Sequence, residues 1–164
     1  MSSLPPSVIR VRDALRAAGV EPEIRFLAES ARTAAQAAAA LGVEIGQIAN
    51  SLIFQADGAP LLVLASGRHR VDTRKVAQLM GVADVRRADP EFVREHAGVA
   101  IGGVAPVGHP RPLRTAVDLT LADYETIWAA AGHPHAVFPT TFAELVRITN
   151  GIVGVIGSED GNTR

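Results

Sequence analysis

At 164 residues, 48% apolar and 20% charged, the chain is about one domain long, and a domain of that size buries roughly 70% of the surface its unfolded chain exposes. A formal net charge of −1 excludes a protein that grips nucleic acid along many phosphates, because that affinity grows with the number of phosphates neutralised; any RNA contact is small and local. With no cysteine, a disulfide frame, a thiol nucleophile and a thiolate metal site are excluded as well.

The opening MSSLPPSVIRVRDAL puts prolines and early charges where a signal peptide needs a continuous apolar segment, and no stretch approaches a membrane span. A cytoplasmic protein is expected. Ser7 is placed to cap a first helix with an inner stripe of Val8, Val11, Leu15 and Ala18, which Gly19 stops. Thr33 and Gln36 form a capping-box pattern for a second helix, through an alanine tract at 37–40 that packs on a neighbour, to Leu41 and Gly42. In NSLIFQADGAPLLVLASG two apolar runs meet at Asp57-Gly58, the strongest hairpin signal in the chain, and both read as central strands.

Asp72 caps a helix that reaches Met80 with Gly81 behind it, Val85 sits in a short strand, and Asp89-Pro90 starts a helix ending near Gly98. Val99-Ala100-Ile101 reads as a further short strand, followed by strands at 115–119, 126–130 and 135–138. A second capping box, Thr141 with Glu144, opens a helix that stops at Asn150-Gly151, and residues 152–156 form a last short strand. Strands joined both by hairpin and by helical crossover imply a mixed sheet with helices around it.

No GxxxxGK[ST], GxGxxG, GxSxG or HExxH motif is present. His133 and His135 with a carboxylate such as Asp118 are the one conceivable zinc set, but the spacing matches no common ligand pattern and a solvent-facing turn accounts for the pair. The glycine pair in IGGVAPVGH marks either a β-bulge or a place where backbone comes close to something else.

Several strings, in this order, carry a resemblance across nearly the whole chain: ARTAAQAAAALGV, QIANSLIF, DGAPLLVLASGRHRVDTRKVAQLMG, IGGVAPVGHPRPL, AAAGHPHAVF and FAELVRITNG. The chain resembles the YbaK/prolyl-tRNA synthetase editing-domain family, which hydrolyses amino acids wrongly esterified to tRNA. The resemblance implies an α/β fold of the α+β type, a mixed, mainly antiparallel curved sheet surrounded by helices. A single domain over residues 1–157 and a flexible tail at 158–164 are expected. It also implies a deacylase acting in trans, without a cofactor, on the 3′ end of aminoacyl-tRNA. An aminoacyl-tRNA synthetase is the expected protein partner, DNA and membrane are not partners, and the chain is a monomer or a homodimer.

By the same resemblance, Gly102, Gly103, Val104, Ala105 and Pro106 correspond to the family's GxxxP loop around the terminal adenosine and its ester. Glycine there lets backbone N–H groups approach a carbonyl oxygen as it gains charge. Asn50 stands where family members usually carry a lysine; its amide still donates, but it is shorter and neutral, and capping the strand is its bland alternative. An inactive binder of an aminoacyl-tRNA or nucleotide end is therefore the second functional reading. Ser66, Arg68 and Arg70 fall in the family's basic turn, where an arginine meets a terminal phosphate or is simply solvated. Gly132 and His133 match a stretch near the family's pocket, with His133 as ribose contact or water-positioning base against an ordinary surface histidine. Thr33 and Phe26 line the amino-acid side of the pocket, or serve only as helix cap and core aromatic.

Overall fold

The computed structural model describes residues 4–28 and 31–158. In chain order the described residues form α1 (Pro6–Ala17), β1 (Arg25–Phe26), α2 (Ala34–Leu41), β2 (Ile48–Ala56), β3 (Ala59–Ser66), β4 (Arg70–Val71), α3 (Thr73–Met80) and β5 (Val85–Arg87). There follow α4 (Pro90–Ala97), β6 (Arg114–Asp118), β7 (Ile127–His133), β8 (Ala136–Thr140), α5 (Phe142–Thr149), β9 (Ile152–Gly154) and β10 (Gly157–Ser158). None of the helices is long and apolar enough to cross a membrane.

The expected caps account for most helix starts. Thr33 Oγ1 accepts from the Gln36 N–H while the Gln36 side chain accepts from the Thr33 N–H, a complete capping box, and Asp72 and Asp89 take the first N–H groups of α3 and α4. Two starts differ. Ser7 lies inside α1, which opens at Pro5 and Pro6 with no side-chain cap, because the fixed φ of proline already suits the first turn. At α5, Thr141 caps the Glu144 N–H, but the Glu144 carboxylate accepts from Thr140 Oγ1 at 2.7 Å, so that box is only half formed.

The strands form one mixed sheet in the order β1-β8-β7-β2-β3-β6-β9, with β5 paired to β2 and a separate β4-β10 pair. The pairs β2 with β7, β3 with β6 and β6 with β9 are parallel, and the other pairs are antiparallel. As expected, β2 and β3 meet in a tight hairpin at Asp57 and Gly58, both at positive φ, and lie at the centre. One face of β2 and β3 packs Ala49, Ile53, Leu62 and Leu64 against Val8, Val11 and Leu15 of α1, Val93 of α4 and Leu145 of α5. The other packs Phe54, Leu61, Val63 and Ala65 against Val76 and Met80 of α3. Burial on both faces explains why β3 reads as an unbroken apolar run.

Of the alanine tract, Ala38 alone is fully buried, against Ile48, Trp128 and Val137, while Ala39 and Ala40 face solvent. Val99–Ile101 is not a strand, for the chain turns there, as described below. Gly157 pairs with Val71, and Ser158, expected in the flexible tail, pairs with Arg70; residues 159–164 lie outside the described residues.

Candidate functional site: an opening in the sheet beside a glycine turn

Strand β2 is paired with β3 from Ala49 to Ala56, but its other edge is shared: Ile48 and Ala49 pair with β7, whereas Phe54 to Ala56 pair with β5. Between them, residues 50–53 have no strand beside them among the described residues. Backbone groups on a strand point alternately to its two edges. Gly67 N–H donates to Ile48 O on the β3 side and Asp57 N–H donates to Asp84 O on the β5 side, so the N–H and C=O of Ser51 and Ile53 point into the opening. A cavity of about 270 Å³ fills it, lined by Asn50, Ser51, Gly102, Val104, Trp128 and Pro134 together with Thr33 and a set of alanines.

The glycine pair is a β-turn rather than a bulge. Gly103 N–H donates to Ala100 O at 3.0 Å, and Gly102, at the third position, has φ +95°, the conformation that a type II turn reserves for glycine. That bond commits the Gly103 amide, leaving the Gly102 N–H as the turn's outward donor. Gly103 packs on Pro134 and Gly132 O, which brings the turn against the β7–β8 connection. Val104 lines the cavity; Ala105 and Pro106 are buried beneath it. Gly132 has a different reason to be glycine. At φ +96°, a Cβ there would lie 2.6 Å from Ser7 O and 2.9 Å from Val11 Cγ2, so what approaches its backbone is helix α1 and not a ligand.

His109 secures the loop from behind. Its Nε2 lies 2.6 Å from Ala105 O, and as the neutral tautomer with Nε2–H it donates to that carbonyl. Burial lowers its pKa from the ordinary value of 6.5, the bond to Ala105 opposing only in part. The unfolded chain therefore binds this proton more readily than the fold does, and His109 stabilises the fold fully above pH 6.5, with that contribution lost as pH falls through its lower folded value. Thermal melts are expected to show wild type losing stability from pH 7.5 to 5, and His109→Gln, which keeps a donor but cannot titrate, losing less. Parallel pH curves would assign the effect elsewhere.

A second cavity of about 500 Å³ adjoins the first, sharing Asn50, Leu52, Phe54 and Arg87, and adds Arg68, His69, Arg70 and Thr73. Among the described residues no carboxylate lines it. Arg68 Nη1 donates to Tyr124 Oη at 3.0 Å, and its other arm lies 3.9 Å from Asp123. Behind the cavity wall, Asp118 at the end of β6 is 1% exposed. Its oxygens accept from Ser66 N–H and Thr120 N–H, each at 3.0 Å, and lie 3.4 Å from His69 Nδ1. Asp118 is thus engaged with His69, not with His133 and His135.

Of the residues singled out in the sequence, Asn50, Gly102, Val104 and Thr33 meet in the first cavity, with Thr33 also capping α2, and Arg68 and Arg70 meet in the second. The others line neither. Ser66 is fully buried and its Oγ donates to Gly46 O at 2.8 Å, so it fastens the end of β3. Phe26 is 47% exposed, not a core aromatic, with its ring centroid 6.3 Å from that of His133. His133 Nδ1 accepts from His135 N–H at 3.2 Å, which closes the β7–β8 turn and removes the basic nitrogen that water positioning would use. Ser51, Arg87, His69 and His109 went unnoticed, and local pattern carried no signal for them, since strand pairing and burial alone bring them here.

The family model of the aminoacyl-tRNA editing domain matches residues 28–148. The uncharacterized protein YwhH of Bacillus subtilis is 32% identical over 126 residues, 76% of this chain and 80% of that one. A proline–tRNA ligase of Xanthomonas axonopodis pv. citri is 29% identical over 156 residues; the match covers 88% of this chain and spans only 28% of the ligase. Among solved structures, one provisionally assigned as a trans-editing enzyme for prolyl tRNA synthetase superposes with a TM-score of 0.89 at 43% identity, over 95% of this chain and 99% of that one. An opening in the sheet, a glycine turn beside it and these likenesses agree: the chain belongs to the aminoacyl-tRNA editing domain family.

Proposed function

We propose that the protein hydrolyses the ester bond of mischarged aminoacyl-tRNA in trans. The observation that carries this reading is the meeting of Asn50 and the Gly102 turn in one cavity that continues into a basic one. An aminoacyl ester is already activated, so positioning it and polarising its carbonyl suffice for attack by water, without a protein nucleophile. In this reading the aminoacyl group enters the opening beside β2. The Gly102 N–H meets the carbonyl oxygen as it becomes an oxyanion, and the Asn50 carboxamide donates to the ester or the adjoining ribose. Arg68 and Arg70 meet a phosphate of the unpaired 3′ end, whose bases are open to recognition. The neutral Asn50 favours one rival, a domain that holds the aminoacyl end without cleaving it.

Hydrolysis of a panel of labelled alanyl-, cysteinyl-, seryl- and threonyl-tRNAs separates the two. Wild type is expected to turn over at least one of them. A neutral hydrogen bond contributes about 0.5–1.5 kcal/mol, so Asn50→Ala is expected to slow that reaction up to about tenfold, with Asn50→Lys retaining it. Binding of intact aminoacyl-tRNA without turnover would overturn the deacylase.

A further inference from the structure

Inside the first cavity one polar side chain has nothing to do. Ser51 Oγ is buried and has no hydrogen-bond partner among the described residues, and alanine and valine side chains make up much of the surrounding wall. A buried hydroxyl left unmatched is unfavourable, and native interiors avoid it unless water or a ligand supplies the partner. Its direction can be read from the strand. Alternation places the Ser51 side chain on the same face of β2 as Ala49 and Ile53, the face that packs toward Val93 and Val104, whereas its backbone C=O lies in the plane of the sheet and points into the opening. The residue therefore presents two acceptors at right angles.

We infer that Ser51 is a specificity-determining residue: its hydroxyl reads a hydroxyl on the side chain of the bound aminoacyl group, which makes a small hydroxylated aminoacyl ester, seryl before alanyl, the preferred ligand. This rests on the editing role proposed above. The α-ammonium, common to every aminoacyl ester, is matched by the strand-edge carbonyls of Ser51 and Ile53, which leaves the Oγ on the core face to meet what differs between substrates. An alanyl group of nearly the same shape fits but leaves the Ser51 hydroxyl unmatched, and a site built around a hydroxyl discriminates by that mismatch. The many alanines along the wall suit a small group.

The test uses amide-linked seryl-adenosine and alanyl-adenosine, which cannot be hydrolysed, with binding to the full chain measured by calorimetry, alongside turnover of seryl- and alanyl-tRNA. Wild type is expected to bind the seryl analogue about tenfold more tightly, the size of one neutral hydrogen bond. Ser51→Ala is expected to abolish the difference chiefly by weakening the seryl analogue, and Ser51→Thr to keep part of it. Because Oγ has no structural partner, Ser51→Ala is also expected to melt no lower than wild type. Equal affinities in wild type, an unchanged preference in Ser51→Ala, or a Ser51→Ala chain that melts well below wild type would each overturn the assignment. A seryl preference in binding with no turnover of any ester would sink the deacylase and leave the role of Ser51 standing.

Discussion

A Gly102→Val chain is expected to fold and to hydrolyse its aminoacyl-tRNA about 10² times more slowly, the effect of removing one oxyanion donor. Among the described residues nothing lies within 4 Å of a Cβ at residue 102, so the new side chain meets no obstacle there. Its φ of +95° is another matter, since a β-branched residue avoids that region. The turn relieves the strain by passing from type II to type I, which flips the peptide between residues 101 and 102 and reverses the direction of its N–H. Gly103→Ala is the control. A Cβ at 103 meets Pro134 Cδ at 3.4 Å and Gly132 O at 3.5 Å, ordinary contacts, and the bond from its N–H to Ala100 O is untouched, so this variant is expected to stay within severalfold of wild type. Single-turnover rates with thermal melts of both variants decide it: a Gly102→Val chain at full rate would remove that amide from the mechanism.

Asp118→Ala is expected to cause the largest loss of stability among single substitutions near the site. At 1% exposure the carboxylate accepts from two backbone N–H groups and lies beside His69, and its removal leaves those donors buried and unmatched. Breaking a buried charged network in this way costs about 3–5 kcal/mol, and at roughly 2–4 °C per kcal/mol the melting temperature falls by about 10 °C. Asp118→Asn keeps one acceptor oxygen and is expected to lose less. Urea unfolding of the three chains gives the comparison, and equal midpoints would mean that the ends of β3 and β6 are held by other contacts. Ser66 and His69, both held by this carboxylate, flank Arg68 in the chain, so its loss also loosens the wall of the basic cavity.

Expectations about the site divided along a physical line. Gly102 was legible because a glycine pair in an apolar segment signals an unusual backbone, although the feature proved to be a turn. Gly132 looked alike in sequence and had an unrelated cause, the backbone of α1 packed on it from more than a hundred residues away. His133 drew attention as chemistry next to a proline, yet its acceptor nitrogen is used within its own turn. Ser51 was invisible, for a serine in a strand interior has no pattern until the strands on either side of it are known.

Local elements could be read from the chain alone. The capping of α2 by Thr33 and Gln36, the start of α3 at Asp72, the hairpin at Asp57-Gly58 and the two-sided burial of β3 each rest on residues within a few positions of one another, or on hydropathy along a single segment. The likeness of its ordered strings to an editing domain came the same way. Only the tertiary structure decided where the sheet opens, because that depends on β7 leaving β2 after Ala49 and β5 joining it at Phe54, pairings across about 80 and 30 residues. Register between distant strands is set by which faces can be buried together, and no local pattern specifies it.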